Sequence, residues 1–104
     1  MGQSNIESIT INEFYSQNTK LKFKNSLKVS ITKRFADEGD YLLVGENEEI
    51  NLYVFAYTLE DLKKEINQQI AMMWDEYVSP DPENFANDAL RLRGRLIERI
   101  EEID

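Results

Sequence analysis

A chain of 104 residues sits near the commonest size of a single domain and is long enough to bury one core without crosslinks. It carries no Cys and no His, which removes disulfides, thiolate nucleophiles, the usual zinc sites and the commonest general base. Its formal net charge of −8 repels phosphate backbones, so the expected partner is a basic protein and direct nucleic-acid binding is not expected.

The charge is unevenly laid out. Residues 1–35 hold six Lys/Arg against two Asp/Glu, residues 36–88 hold two against fourteen, and residues 89–104 hold four of each. No run approaches the roughly 20 apolar residues of a membrane-spanning helix, and the start Met1-Gly2-Gln3-Ser4-Asn5 has neither the basic nor the apolar part of a signal peptide. The expectation is a cytoplasmic protein without membrane association.

Residues 1–24 read as an N-terminal strand or arm. Ile6, Ile9 and Ile11 alternate imperfectly, residues 16–19 make a polar turn, and Leu21 and Phe23 alternate with Lys20, Lys22 and Lys24. Lysine blunts exposed sheet edges, so this last stretch has the pattern of an edge strand. A β-meander follows over residues 27–57. Its first strand alternates Leu27, Val29 and Ile31 with Lys28, Ser30 and Thr32, the period of a strand with one buried face. A turn at residues 37–40 leads into a second strand at 41–44, and residues 45–49 turn again into a third strand at 50–57.

That third strand is apolar on both faces, with Ile50, Leu52, Val54 and Ala56 on one and Tyr53, Phe55 and Tyr57 on the other. Such a strand is central in its sheet, or its second face meets something outside the sheet. Thr58 is a helix N-cap, and Leu59, Leu62, Ile66, Ile70, Met73 and Tyr77 form one stripe of a helix over residues 58–78. Pro80 and Pro82 end it. A last helix over residues 82–103 carries the stripe Ala89, Leu92, Leu96, Ile100 and Ile103. Gly94 inside it marks either a close backbone approach or a weak spot. The order predicts a single α+β domain over residues 1–104, an antiparallel meander sheet of three to five strands covered on one face by two C-terminal helices.

Gly39-Asp40-Tyr41 and the run Ala56-Tyr57-Thr58-Leu59-Glu60-Asp61-Leu62 give residues 27–74 a resemblance to the HicB-like antitoxin group. It resembles that group in its acidic-Gly-aromatic turn and in its Thr-Leu-Glu helix start. The resemblance implies a small sheet packed on a helix and binding to a toxin-like ribonuclease. The chain departs from the group in replacing a Pro-containing segment by residues 45–49, in following the first helix with a second instead of a strand, and in lacking an appended DNA-binding segment.

Asp37, Glu38, Asp40 and Glu46, Glu48, Glu49 form two acidic turns. Gathered at one end of the sheet they would suit a hard cation, but their spacing matches no EF-hand loop, so they read as solvated turns or as a docking patch for a basic partner. No metal or cofactor is expected. Tyr53, Phe55 and Tyr57 project from one face, where packing by the core or the N-terminal arm, a partner interface and base stacking are the three readings. Acidic neighbours disfavour the last. Met72 falls off the buried stripe and is either exposed or covered by the C-terminal helix. Arg91, Arg95 and Arg99 form a ladder expected to pair with the chain's own carboxylates.

Without His or Cys no nucleophile-base constellation is legible, and a non-enzyme is expected. The reading is a small acidic protein-binding module, antitoxin-like or inhibitor-like. It neutralises a basic protein, either a toxin-like ribonuclease or a nucleic-acid-binding protein, through Asp37, Glu38, Asp40, Glu46, Glu48, Glu49, Tyr53, Phe55 and Tyr57. The alternatives are a nucleic-acid-mimicking phage-type inhibitor or a structural homodimer.

Overall fold

Alternation along the strands and apolar stripes on the helices lay out an α+β fold. The computed structural model describes residues 7–16, 18–35 and 41–103. Strands β1 (Glu7–Ser16), β2 (Thr19–Phe35), β3 (Tyr41–Asn47) and β4 (Leu52–Ala56) form an antiparallel meander, and α1 (Leu59–Met73), α2 (Asn87–Arg99) and β5 (Ile100–Glu102) follow. Ile6 and the acidic residues Asp37, Glu38 and Asp40 lie outside the described residues.

β1 reconciles its imperfect alternation with one buried face through a break in its pairing with β2, where Asn12 alone stands against residues 23–26. The register with β2 shifts between Ile11 and Glu13, so the inward set changes from Ile9 and Ile11 to Phe14 and Ser16. Buried Ser16 gives its hydroxyl to Asp75, which satisfies the one polar side chain in that row. The hairpin turns through Asn18 at φ 68°, a conformation that Asn tolerates better than other side chains.

β2 corrects two sequence expectations. The stretches around Leu21–Phe23 and Leu27–Ile31 are one strand, and it is central: β1 pairs one side, while β5 pairs Leu21–Phe23 and β3 pairs Ser30–Phe35 on the other. Its lysines therefore guard no edge. Lys20, Lys22, Lys24 and Lys28 occupy the face away from the core, where Lys20 pairs with Glu13 at 3.2 Å and Lys22 with Glu101 at 3.5 Å across neighbouring strands.

The next turn is also shorter than expected. Gly45, Glu46 and Asn47 complete β3, and residues 48–51 make the reversal, with Asn51 at φ 55°. The Asn47 side chain ties this corner, accepting from Ile50 N–H at 3.2 Å and donating to the Lys28 carbonyl at 2.8 Å. Ile50 is thus a buried turn residue, not a strand residue. Gly45 faces α1 directly: a Cβ there would lie 3.4 Å from Ile66 Cδ1 and 3.4 Å from Val29 Cγ1, so the bare backbone lets the helix settle close to the sheet.

Thr58 caps α1 as expected, accepting from Asp61 N–H at 3.1 Å, and Leu62, Ile66, Ile70 and Met73 are its buried stripe. A π-helical turn, Trp74–Val78, continues it, and Tyr77 meets Phe85 edge-on at 6.2 Å where the chain reverses. The last helix is shorter than residues 82–103. A 3₁₀ turn occupies Pro82–Asn84, α2 ends at Arg99, and Ile100 goes over to extended backbone at φ −122°. The reason is that β3 pairs with β2 only from Ser30 onward, leaving a vacant ladder beside Leu21–Phe23 that β5 fills. Both helices lie on one face, and Leu92, Leu96 and Ile100 join the α1 stripe and the inward strand residues in one buried cluster.

Candidate protein-docking surface

β4 positions the aromatic residues picked out in the sequence. Its inward residues Leu52 and Val54 belong to the core, so Tyr53 and Phe55 point to the opposite face, which neither helix covers. They remain 53% and 54% exposed, and neither the core nor β1 at the far edge packs on them. Val44, facing Phe55 across the β3–β4 ladder, is only 2% exposed yet lies outside the main core cluster, because the surrounding outer-face side chains shield it. β4 is the terminal strand of the meander, so its two apolar faces do not mark a central strand. Among the described residues neither a helix nor another strand packs on that second face.

Tyr57 follows the end of β4 and lines clefts on both sides of it. One, of about 470 Å³, is bounded by Leu42, Phe55, Asp61, Lys64 and Glu65. The other, of about 390 Å³, is bounded by Ile31, Lys33, Tyr41, Leu43 and Leu59 at the start of α1. Beside it the terminal β2–β3 pair, Phe35 and Tyr41, stack edge-on at 6.5 Å, and Lys33 Nζ sits 4.9 Å above the Tyr41 ring. Phe35 is 79% exposed. Of the ten large hydrophobic side chains exposed among the described residues, Phe35, Tyr41 and Leu59 lie at this end on the helix-bearing side of the sheet and Tyr53 and Phe55 on the uncovered side, with Tyr57 between them where β4 ends.

Sequence reasoning found Tyr53, Phe55 and Tyr57 but missed Phe35, Tyr41 and Leu59. The available signal was the odd-numbered alternation from Leu27 through Ile31, which continues to Lys33 and Phe35, with Tyr41 symmetric to Phe35 across the turn.

The acidic positions divide differently from the aromatic ones. Glu46 lies on the outer face opposite Tyr53 and Ser30. Glu49 is taken up internally: its carboxylate pairs with Arg99, and its carbonyl accepts from Arg95 at 3.1 Å. Arg99 also reaches the Asn25 carbonyl at 3.4 Å, and Arg91 pairs with Asp88 at 3.5 Å, so the arginine ladder serves the chain's own acidic and carbonyl groups. Among the described residues no other cation lies within ion-pair distance of Glu46 or Glu48. Asp37, Glu38 and Asp40 lie outside the described residues, in the segment that joins Phe35 to Tyr41. The β3 strand separates Tyr41 from Glu46 by five residues, about 17 Å of extended chain. Among the described residues no three carboxylates gather to hold a metal ion.

Comparison with protein-family models, with curated proteins and with solved structures returned no match. Among the described residues no helix is long and apolar enough to cross a membrane.

Proposed function

We propose that this protein is a protein-binding module of the antitoxin or inhibitor kind that docks a basic protein through the aromatic end of its sheet. The observation that carries the reading is the exposure of Tyr41, Tyr57 and Leu59 around one cleft and of Phe55 and Tyr57 around the other, with Phe35 beside Tyr41 and neither cleft filled by a described element. Aromatic side chains supply large contact areas at low entropic cost and anchor interfaces of this kind. The acidic stretch Asp37, Glu38 and Asp40 is spliced between two of these aromatics in sequence, and Glu60 and Asp61 open the adjoining helix. A cationic rim on the partner would complement them and speed its encounter. The strand-strand-strand-helix order from β2 to α1 is the order implied by the HicB-like resemblance, which favours a toxin-like ribonuclease as the partner by analogy.

The test is quantitative co-purification from the native host with the tagged protein and with a Phe35→Ser, Leu59→Ser double variant, whose changes are at exposed sites. A basic protein held in stoichiometric amount by the wild type, weakened at least ~10-fold by the double change and released by raised salt is the expected result. Absence of a stoichiometric partner, or retention indifferent to both the substitutions and salt, rejects the reading.

A further inference from the structure

The two edges of the meander are treated differently. β1 has its ladder with β2 broken between Ile11 and Glu13 and carries the charged Glu13, features that disfavour recruiting another chain along that edge. β4 has none of them: Leu52-Tyr53-Val54-Phe55-Ala56 is free of charge, Pro, Gly and bulge, pairs regularly with β3, and leaves its other edge unpaired among the described residues. The open cleft between this strand and α1, bounded by Asp61, Lys64 and Glu65, leaves room beside it.

We propose that β4 pairs antiparallel with β4 of a second copy of this chain, making a two-fold dimer with one continuous sheet. Three features select a second copy over a foreign strand. With the axis at Val54, Tyr53 of each copy lies opposite Phe55 of the other on the outer face, giving two aromatic cross-strand pairs. On the inner face Leu52 lies opposite Ala56, large against small. The acid-base-acid series Asp61, Lys64, Glu65 on α1 complements itself when two helices run antiparallel, since Lys64 of each copy then faces carboxylates of the other. Two-fold pairing also uses up both bare edges and leaves β1, the guarded one, at each end, so association closes at two. The inference does not rest on the docking reading: it takes up the cleft at Phe55 and Asp61 and leaves the cleft at Tyr41, Leu43 and Leu59, by the end of the β2–β3 ladder, open in each copy.

A five-residue strand pair with flanking helices belongs to the small, weak class of interfaces, so association in the range of tens of micromolar is expected. Sedimentation of the full chain should show twice its 12.2 kDa mass at ~100 µM and the single mass at ~1 µM. Tyr53→Lys with Phe55→Lys, both at exposed positions, should raise the dissociation constant at least ~30-fold while leaving the circular-dichroism spectrum unchanged. Phe35→Lys, which probes the docking surface, should leave the dimer intact. Amide exchange in β4 should slow as concentration rises. A wild type that stays monomeric at ~100 µM overturns the proposal. So does a dimer indifferent to the paired lysines, or one whose β4 amides exchange at a rate independent of concentration.

Discussion

Gly94 illustrates how an environment decides what a residue costs. It lies exposed inside α2, and a Cβ there would meet nothing within 4 Å, so it serves no close approach and only loosens the helix. Gly94→Ala is therefore expected to stabilise the fold by about 0.5–1 kcal/mol, read as a rise of several degrees in the thermal midpoint. An unchanged or lowered midpoint would mean that Gly94 has a role its surroundings do not display. Gly45 is the opposite case, since a Cβ there would come into contact with Ile66 and Val29 at 3.4 Å. Thr58 behaves as the sequence pattern implies because capping depends only on residues one turn apart.

At the scale of elements, β5 has the sharpest consequence. Ile100 continues the apolar spacing of α2, yet it leaves the helix to pair with Phe23, while its 3% exposed side chain stays in the core. Ile100→Ala removes the inward packing that anchors β5 beside β2. The expected loss is about 2–4 kcal/mol in urea unfolding, together with faster amide exchange at Leu21–Phe23. Loss of stability without any change in exchange there would assign Ile100 to packing alone. The same element explains why periodicity misled the reading of residues 100–103: a stripe of apolar residues records which side chains turn inward, and a short strand and a helix end can satisfy that equally.

Both layers of the molecule mix charges of either sign. The uncovered sheet face bears Lys20, Lys22, Lys24 and Lys28 together with Glu13, Glu46 and Glu101. The helical layer bears Glu60, Asp61, Glu65, Asp75, Glu76 and Asp88 together with Lys63, Lys64, Arg91, Arg93, Arg95 and Arg99. Few of these are neutralised by close pairs, so self-repulsion at net charge −8 opposes the folded state. Raising salt from about 10 to about 200 mM should lift the thermal midpoint by a few degrees. A fall instead would show that the four exposed ion pairs outweigh the repulsion.

The sequence by itself determined the α+β class, the α1 stripe with its Thr58 cap, and the outward direction of Tyr53 and Phe55. All of these follow from alternation or spacing within one element. Tertiary structure alone decided that β4 is an edge, that the lysine strand is central, that Phe35 pairs with Tyr41, and that Glu49 belongs to Arg99. Each of those depends on which strand lies beside which. Pairing partners far apart in the chain are selected by the global closure of the sheet, and a local pattern of side chains does not encode its neighbours.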